Sequence, residues 1–496
     1  MASLAAEQPK STFGLSYRTA WRWHFYAGLL CIPFVLWLSV TGTVFLFKPQ
    51  IERFLDKPFD HLTIAQRATA NAQVQAALAA VPGALLDSYE LPHSPASATQ
   101  ILVDRGPQQF RVYIHPQTLA VLKVQNEDQR LENVIFRLHG ELMLGNWGSY
   151  LVELAASWAV VMILTGLFLW WPRTAKGLGG VLYPRVNLGG RAFWKDMHSV
   201  VGIYVSFFAL FLLFTGLPWA KSWGGYLKAI RHFSAGHAVA QDWTTSSAEA
   251  IAARTARTHA SMDGASGRDM NAAHDGSGMR AMEGVGVSSM NMPASGASGH
   301  AEHGQHHGSL LSGAGAFAAL DTMVATVTPL HLAEPVLISP PMHPGGRWNA
   351  KSDTRDRPLR VDLILDGRTG AILKRTDFQS KPWLDRVIGT GIAAHEGQLF
   401  GVANQIVSLL TVLGLVTLSL SGLTMWWKRK PEGVLGAPAA FERPRFSVLL
   451  IGLIVVLGLY FPFLGGSILV VYLLDKFVFP KAPGLGRWLG LQAAAS

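Results

Sequence analysis

Residues 21–30 read WRWHFYAGLL and residues 194–202 read WKDMHSVVG. Each stretch puts a histidine, His24 or His198, at the mouth of an apolar run. Each run reaches a threonine–glycine pair 17 positions after its histidine, Thr41-Gly42 and Thr215-Gly216. Two further stretches, RLHGELMLG at 137–145 and AAHEGQLFG at 393–401, place His139 and His395 ahead of apolar runs. There the small-residue pair comes 26 positions later, at Thr165-Gly166 and Ser421-Gly422. Trp170-Trp171 and Trp426-Trp427 follow, and then basic residues. The spacing alternates short, long, short, long. That pattern is an internal duplication of helix, extramembrane segment and helix.

The chain has 496 residues, 49% apolar and only 15% charged, which fits a membrane protein better than a soluble one. Five runs, 25–47, 150–171, 199–219, 403–427 and 447–474, are long enough to cross a bilayer, which takes about 20 apolar residues. Cys31 is the single cysteine and lies in the first run, so a disulfide framework or a cysteine-based metal site is excluded. The net charge of +10 sits largely in short loops, where it reports topology. No basic–aromatic nucleic-acid module is present, so no nucleic-acid partner is expected.

The positive-inside rule orients the chain. Lys10, Arg18 and Arg22 keep the N-terminus in the cytoplasm, and the loop 172–197 carries five basic residues against Asp196 alone. The first apolar run is too long for a signal peptide and is read as a retained helix. The expected division is 1–49 for the N-terminus and first helix, 50–138 for a periplasmic module, and 139–219 for helices two and three. Residues 220–394 form a second periplasmic module, 395–430 the fourth helix, and 431–496 a fifth helix and tail. Run 447–474 contains Pro462 and reads as one kinked span with the C-terminus outside; two re-entrant pieces are the alternative.

Both external modules read as α+β. The first has a helix over Ile64–Ala80 and short strands in LDSYELP, TQILVD, QFRVYIHP and LAVLKVQ. The second has a helical ALDTMVATVTPL and strands in PVLISPP, RPLRVDLIL and AILKRTD. The turn Asp366-Gly367-Arg368-Thr369-Gly370 stands where HPQT stands in the first module, so the duplication extends outside the membrane. Residues 244–316 have no apolar period and read as disordered.

Topology sorts the histidines by side. His24 and His198 begin outward-going helices and His139 and His395 inward-going ones. A tandem repeat whose halves run in the same direction packs about a two-fold axis along the membrane normal. That axis pairs His24 with His198 and His139 with His395. Two imidazoles facing across a bundle can hold a haem iron from both sides. The rival readings are a haem-free proton or metal path, or histidines that are merely structural. The threonine–glycine pairs let helices approach closely, or leave room for a flat macrocycle. The tryptophan pairs read as interfacial anchors. His139 to Trp171 is 32 positions, about 48 Å as one helix. Such a length would lift the outer site above the membrane, and Trp158 is a candidate to bridge the resulting gap.

The histidine-plus-TG helices, the WWPR and WWKR ends, LHGELMLG and RVDLILDGRTGAILKR together resemble the PepSY-associated transmembrane family of bacterial inner-membrane proteins. The resemblance covers about 15 to 475, with 244–316 as an insertion. It implies a mainly α membrane protein: duplicated two-helix units forming a four-helix haem-binding bundle, a fifth C-terminal helix and two periplasmic PepSY-like modules. It further implies b-type haem, two per chain, ligated by His24, His139, His198 and His395. The implied activity is that of a ferrisiderophore reductase, passing electrons outward and releasing Fe(II) in the periplasm. Some relatives carry a fused flavin reductase. No dinucleotide fingerprint follows a strand here, so a separate donor, a cytoplasmic reductase or a quinol, is expected. The expected partners are therefore the lipid bilayer, that donor, and a ferric siderophore or other metal chelate. No catalytic side chain is assigned; Arg355, Arg357 and Arg360 are candidates to attract an anionic chelate, with ordinary solvated charge as the plainer reading.

Residues 259–307 are rich in histidine and methionine, among them His259, Met262, His300, His303, His306 and His307. Imidazole and thioether together suit copper. The plain alternative is a low-complexity linker. Copper handling, by cupric reduction or as an accessory to export, is thus one rival function. A non-enzymatic PepSY regulator is another.

Overall fold

The computed structural model describes residues 15–171, 177–235, 247–256, 317–341, 346–438 and 447–491. The chain forms two compact units, one of Met1–Glu52, Leu131–Tyr226 and Trp383–Ser496, the other of Arg53–Arg130 and Leu227–Pro382.

The first unit is a helical bundle. Among the described residues, five of its helices are long and apolar enough to cross a membrane: Tyr17–Leu46, Asn146–Trp170, Gly190–Trp219, Gly401–Arg429 and Pro462–Lys481. Helices suit these runs because a bilayer offers no water to satisfy backbone groups. The Ser16 hydroxyl accepts the Thr19 N–H and starts the first span. The first span packs on the second and the third on the fourth. Contacts of first with fourth and second with third close the ring. Small residues permit the approach: a Cβ on Gly414 would lie 2.3 Å from Val205 Cγ2.

His139 and His395 do not lie on spans. They end short helices, Leu131–Glu141 and Trp383–His395, that precede the second and fourth spans. Leu142, Met143 and Gly145 have positive φ in the first break, and Gly397 and Gly401 in the second. Each break turns the chain between short helix and span. The 48 Å single-helix length therefore does not arise.

The C-terminal run departs from the expected single kinked span. It divides at Phe461-Pro462 into helices Val448–Tyr460 and Pro462–Leu473, because proline withdraws an N–H and disfavours helix at the residue before it. The two helices fold against each other, and a Cβ on Gly458 would touch Gly465 Cα at 3.3 Å. Leu450 packs with Leu15 and Ala20, while Phe461 and Leu464 pack with Leu217 and Val160. The chain then returns. Tyr26 Oη donates to Leu489 O at 2.5 Å and Arg22 Nη1 to Gly490 O at 3.0 Å. The last described residues thus lie at the His24 end of the bundle, not the opposite one. Trp158 serves this hairpin, its indole N–H donating to Ser467 Oγ at 3.0 Å and its ring joining the Phe461 cluster.

The second unit is built on one continuous antiparallel sheet rather than two separate modules. Its strands are β1 (Leu85–Glu90), β2 (Thr99–Arg105), β3 (Gln108–Ile114), β4 (Val121–Asn126), β5 (Val336–Ser339), β6 (Trp348–Ser352), β7 (Val361–Leu365) and β8 (Ile372–Asp377). The order β4-β3-β2-β1-β5-β6-β7-β8 is two identical meanders joined where Tyr89 pairs with Ile338. Helices Ala70–Ala80 and Ala318–Val327 pack together and share a core with the sheet that includes Val74, Leu86, Ile101, Met323, Trp348 and Leu363.

The duplication is visible at atomic level in the β3–β4 and β7–β8 hairpins. His115 Nδ1 accepts the N–H groups of Gln117 and Thr118, both at 3.2 Å. Asp366 Oδ1 accepts those of Arg368 at 3.1 Å and Thr369 at 2.7 Å. Leu119, at φ +60°, occupies the place of Gly370, at φ +73°. Strand β6 was not anticipated, and the first helix begins at Ala70 rather than Ile64. Within the stretch expected to be disordered, residues 247–256 are helical, and Arg254 pairs with Asp128 at 3.0 Å.

Candidate functional site

The four histidines are held in one repeated way. Each imidazole meets the small-residue pair on the neighbouring span of its own half. His24 Nδ1 lies 2.9 Å from Met162 O and 3.3 Å from Thr165 Oγ1. His139 Nδ1 lies 2.9 Å from Thr41 Oγ1. His198 Nδ1 lies 3.1 Å from both Leu418 O and Ser421 Oγ. His395 Nδ1 lies 3.0 Å from Thr215 Oγ1. The neighbouring spans run antiparallel, so the histidine opening one helix sits level with the pair closing the other.

These partners fix the tautomer. A carbonyl oxygen only accepts, so Nδ1 of His24 and His198 carries the proton. The Thr41 hydroxyl donates to Trp37 O at 2.9 Å and that of Thr215 to Phe211 O at 2.7 Å. Both hydroxyl oxygens therefore accept a hydrogen bond from the Nδ1–H of their histidine. In all four rings Nε2 keeps its lone pair, the arrangement of a metal-binding histidine oriented through its other nitrogen.

The glycine of each pair makes the space. A Cβ would come 3.0 Å from His24 Cε1 at Gly166, 3.1 Å from His139 Cε1 at Gly42, 3.2 Å from His395 Cε1 at Gly216 and 3.4 Å from His198 Cε1 at Gly422. The pairs are thus imidazole seats. The sequence supplied their spacing but not this role.

The expected pairing across halves is seen at one end. The rings of His24 and His198 have centroids 6.1 Å apart at an interplanar angle of 85°. Two imidazoles on one metal ion, each bonded at about 2.0 Å through Nε2, have centroids roughly 6 Å apart. The donor set and its spacing therefore fit an iron held from both sides. At the other end His139 and His395 are near enough to act on each other. Burial, with the His395 imidazole adding to it, pushes His139 down to about 4, and burial lowers His395 as well. Burial thus disfavours the charged form of both rings. Trp219, which sequence reasoning did not single out, packs edge-on to His395 with centroids 5.7 Å apart. The two levels are 17 residues apart on the first span, about 25 Å.

Supporting contacts repeat too. Trp170 Nε1 donates to Val181 O at 3.1 Å and Trp426 Nε1 to Leu435 O at 2.8 Å, so the first tryptophan of each pair ties down the following loop. Trp171 and Trp427 are exposed, as interfacial anchors would be. Asp196, two residues before His198, accepts from Arg185 Nε at 2.7 Å and Nη2 at 3.0 Å and fixes the preceding loop.

A family described as the PepSY-associated TM region matches residues 21–429. The chain belongs to this family. The match opens just before His24 and closes just after Trp426-Trp427, so it takes in all four seats of this PepSY-associated protein. No curated protein matches the chain. With its apolar helices, membership makes it a multi-pass membrane protein.

Other candidate residues have different placements. Arg357 is buried, and Arg360 donates to Thr354 O at 2.7 Å and pairs with Asp353 at 3.3 Å. These two arginines serve the fold rather than a chelate. The copper candidates His259, Met262, His300, His303, His306 and His307 lie outside the described residues.

Proposed function

We propose that this protein is an inner-membrane electron carrier with two bis-histidine b-type haem sites, reducing a ferric chelate at the periplasmic face. The reading is supported by the reciprocal seating of four imidazoles, with the His24 and His198 ring centroids 6.1 Å apart. His24 and His198 would hold the inner haem, His139 and His395 the outer. Haem would supply one-electron redox chemistry there. The chain's own residues orient each Nε2 through Thr41, Thr165, Thr215 and Ser421, and clear space at the adjacent glycines. Held by a pair of imidazoles, each haem would suit electron transfer rather than oxygen activation.

The donor is a separate quinol or reduced flavoprotein at the cytoplasmic end, and the acceptor is a ferric siderophore outside. Each electron lost by the donor reduces one Fe(III) to Fe(II), which the chelator then holds less tightly. The test is haem stoichiometry and the oxidised and dithionite-reduced spectra of purified protein and four single His→Ala variants. Two haems per chain are expected, one lost in both His24→Ala and His198→Ala, the other in both His139→Ala and His395→Ala. A folded protein without haem would overturn the reading and leave a regulatory role. Loss of the same haem in His24→Ala and His139→Ala would overturn the pairing.

A further inference from the structure

The two pairs differ in what their Nδ1 atoms touch. Each inner imidazole has two acceptors within hydrogen-bond distance: Met162 O and Thr165 Oγ1 at His24, Leu418 O and Ser421 Oγ at His198. Each outer imidazole has one hydroxyl, Thr41 Oγ1 at His139 and Thr215 Oγ1 at His395. Leu212 O adds a backbone contact at His395, and His139 has no carbonyl of this kind among its described partners. The geometry of the seats explains the difference. Both inner rings bring Nδ1 within hydrogen-bond distance of the carbonyl three residues earlier on the helix, whereas of the outer rings only His395 approaches that carbonyl and His139 meets the hydroxyl alone.

An Nδ1–H that shares its proton with a strong acceptor leaves more electron density on Nε2. A more basic Nε2 favours the more positive, oxidised state of a bound metal. A carbonyl plus a hydroxyl should do this more strongly than a hydroxyl alone.

We propose that these acceptor sets order the two centres. The inner pair holds its haem at a lower midpoint potential than the outer pair, and Thr41 and Thr215 are the positioning residues that set the outer value. The proposal rests on the bis-histidine reading above. It gives the bundle a direction: an electron taken from the quinol or flavin donor at the inner pair moves downhill to the outer pair and on to Fe(III). No bond or proton at the histidines has to change.

The experiment is an optically followed redox titration of the full-length haem-loaded protein, with His24→Ala and His139→Ala assigning the two components. The lower-potential component should vanish in His24→Ala and the higher in His139→Ala. Thr41→Val and Thr215→Val, which remove the hydroxyl acceptor at an outer ring, should move the outer component upward. Thr165→Val, which leaves Met162 O in place, should move the inner one less, and Thr41→Ser should restore the outer value. The opposite order, or equal shifts in Thr41→Val and Thr165→Val, would overturn the proposal while leaving the two-haem reading intact. If Thr41→Val loses its haem, the order given by the two His→Ala variants decides. Absence of haem from the wild-type protein would instead sink the function from which this follows.

Discussion

In the first half of the chain the turn into the second span depends on Gly148, whose Cβ would lie 1.6 Å from Glu141 O. The matching position in the second half is Asn404, whose amide donates to Ala394 O at 3.0 Å. Ser149 and Glu153 accept the N–H groups of Lys221, Ser222 and Trp223 after the third span. At the position matching Ser149, Gln405 donates to Leu46 O at the end of the first span. Turns and caps thus reach the same geometry with different chemistry. The imidazole seats do not: hydroxyl followed by glycine stands at all four. A turn can be closed in several ways, but orienting Nδ1 while leaving Cε1 room requires an acceptor and a missing Cβ at adjacent positions.

The sharpest way to break this comparison is at the turn. Gly148→Ala should cost about 3 kcal/mol or more, because the obstacle is backbone, whereas Asn404→Ala should cost about 1 kcal/mol for the lost hydrogen bonds to Ala394 O and, more weakly, Ser408 Oγ. Thermal unfolding in detergent compares them, and equal losses would mean that the two turns share a constraint not seen here. The seats come next. On the proposed haem reading, alanine at Gly166 or Gly42 should cost roughly 1 kcal/mol of haem binding, about fivefold in retention. Gly216→Ala and Gly422→Ala should cost less, in line with their wider spacings, and haem-to-protein ratios after dilution would reverse that order if the seats were not the constraint.

In the sheet, Gly370→Ala should destabilise by about 1–2 kcal/mol, since a Cβ there would also meet Thr322 Cγ2 at 2.7 Å. Leu119→Gly should stay within about 1 kcal/mol of neutral, because relief of its positive φ offsets lost packing against the core. Hydrogen exchange of the flanking strands reports both. The smallest effect concerns Asp366. The Thr369 backbone N–H, then its hydroxyl, holds this carboxyl below its ordinary value. Its contribution is therefore present above the unfolded carboxylate range and lost as pH falls through the depressed folded value. Faster exchange of the Thr369 amide in that acid window should be abolished by Asp366→Asn, which keeps an acceptor at every pH.

The spans, the duplication and the pairing of His24 with His198 were legible because apolar length and repeated spacing survive in one dimension. The role of the threonine–glycine pairs was present in the same spacings, since antiparallel neighbours put His24 level with Thr165. It was missed because the pair was read on its own helix. The C-terminal hairpin was ambiguous because a proline within an apolar run kinks a helix or ends it according to tertiary packing. The joining of both external modules into one sheet depends on the β1–β5 contact, which spans the whole of the third and second helices in sequence and leaves no local trace. Strand β6, WNAKS, hides because only Trp348 among its inward residues is large.

The seats also fix an order of assembly during synthesis. His139 and His395 are each made after the residue that holds them, Thr41 and Thr215. His24 and His198 are each made before theirs, Thr165 and Ser421. The His139 and His395 set is therefore complete once the ribosome has passed residue 395, while His198 still waits for the fourth span. The end of the bundle that is begun first is the end that is finished last.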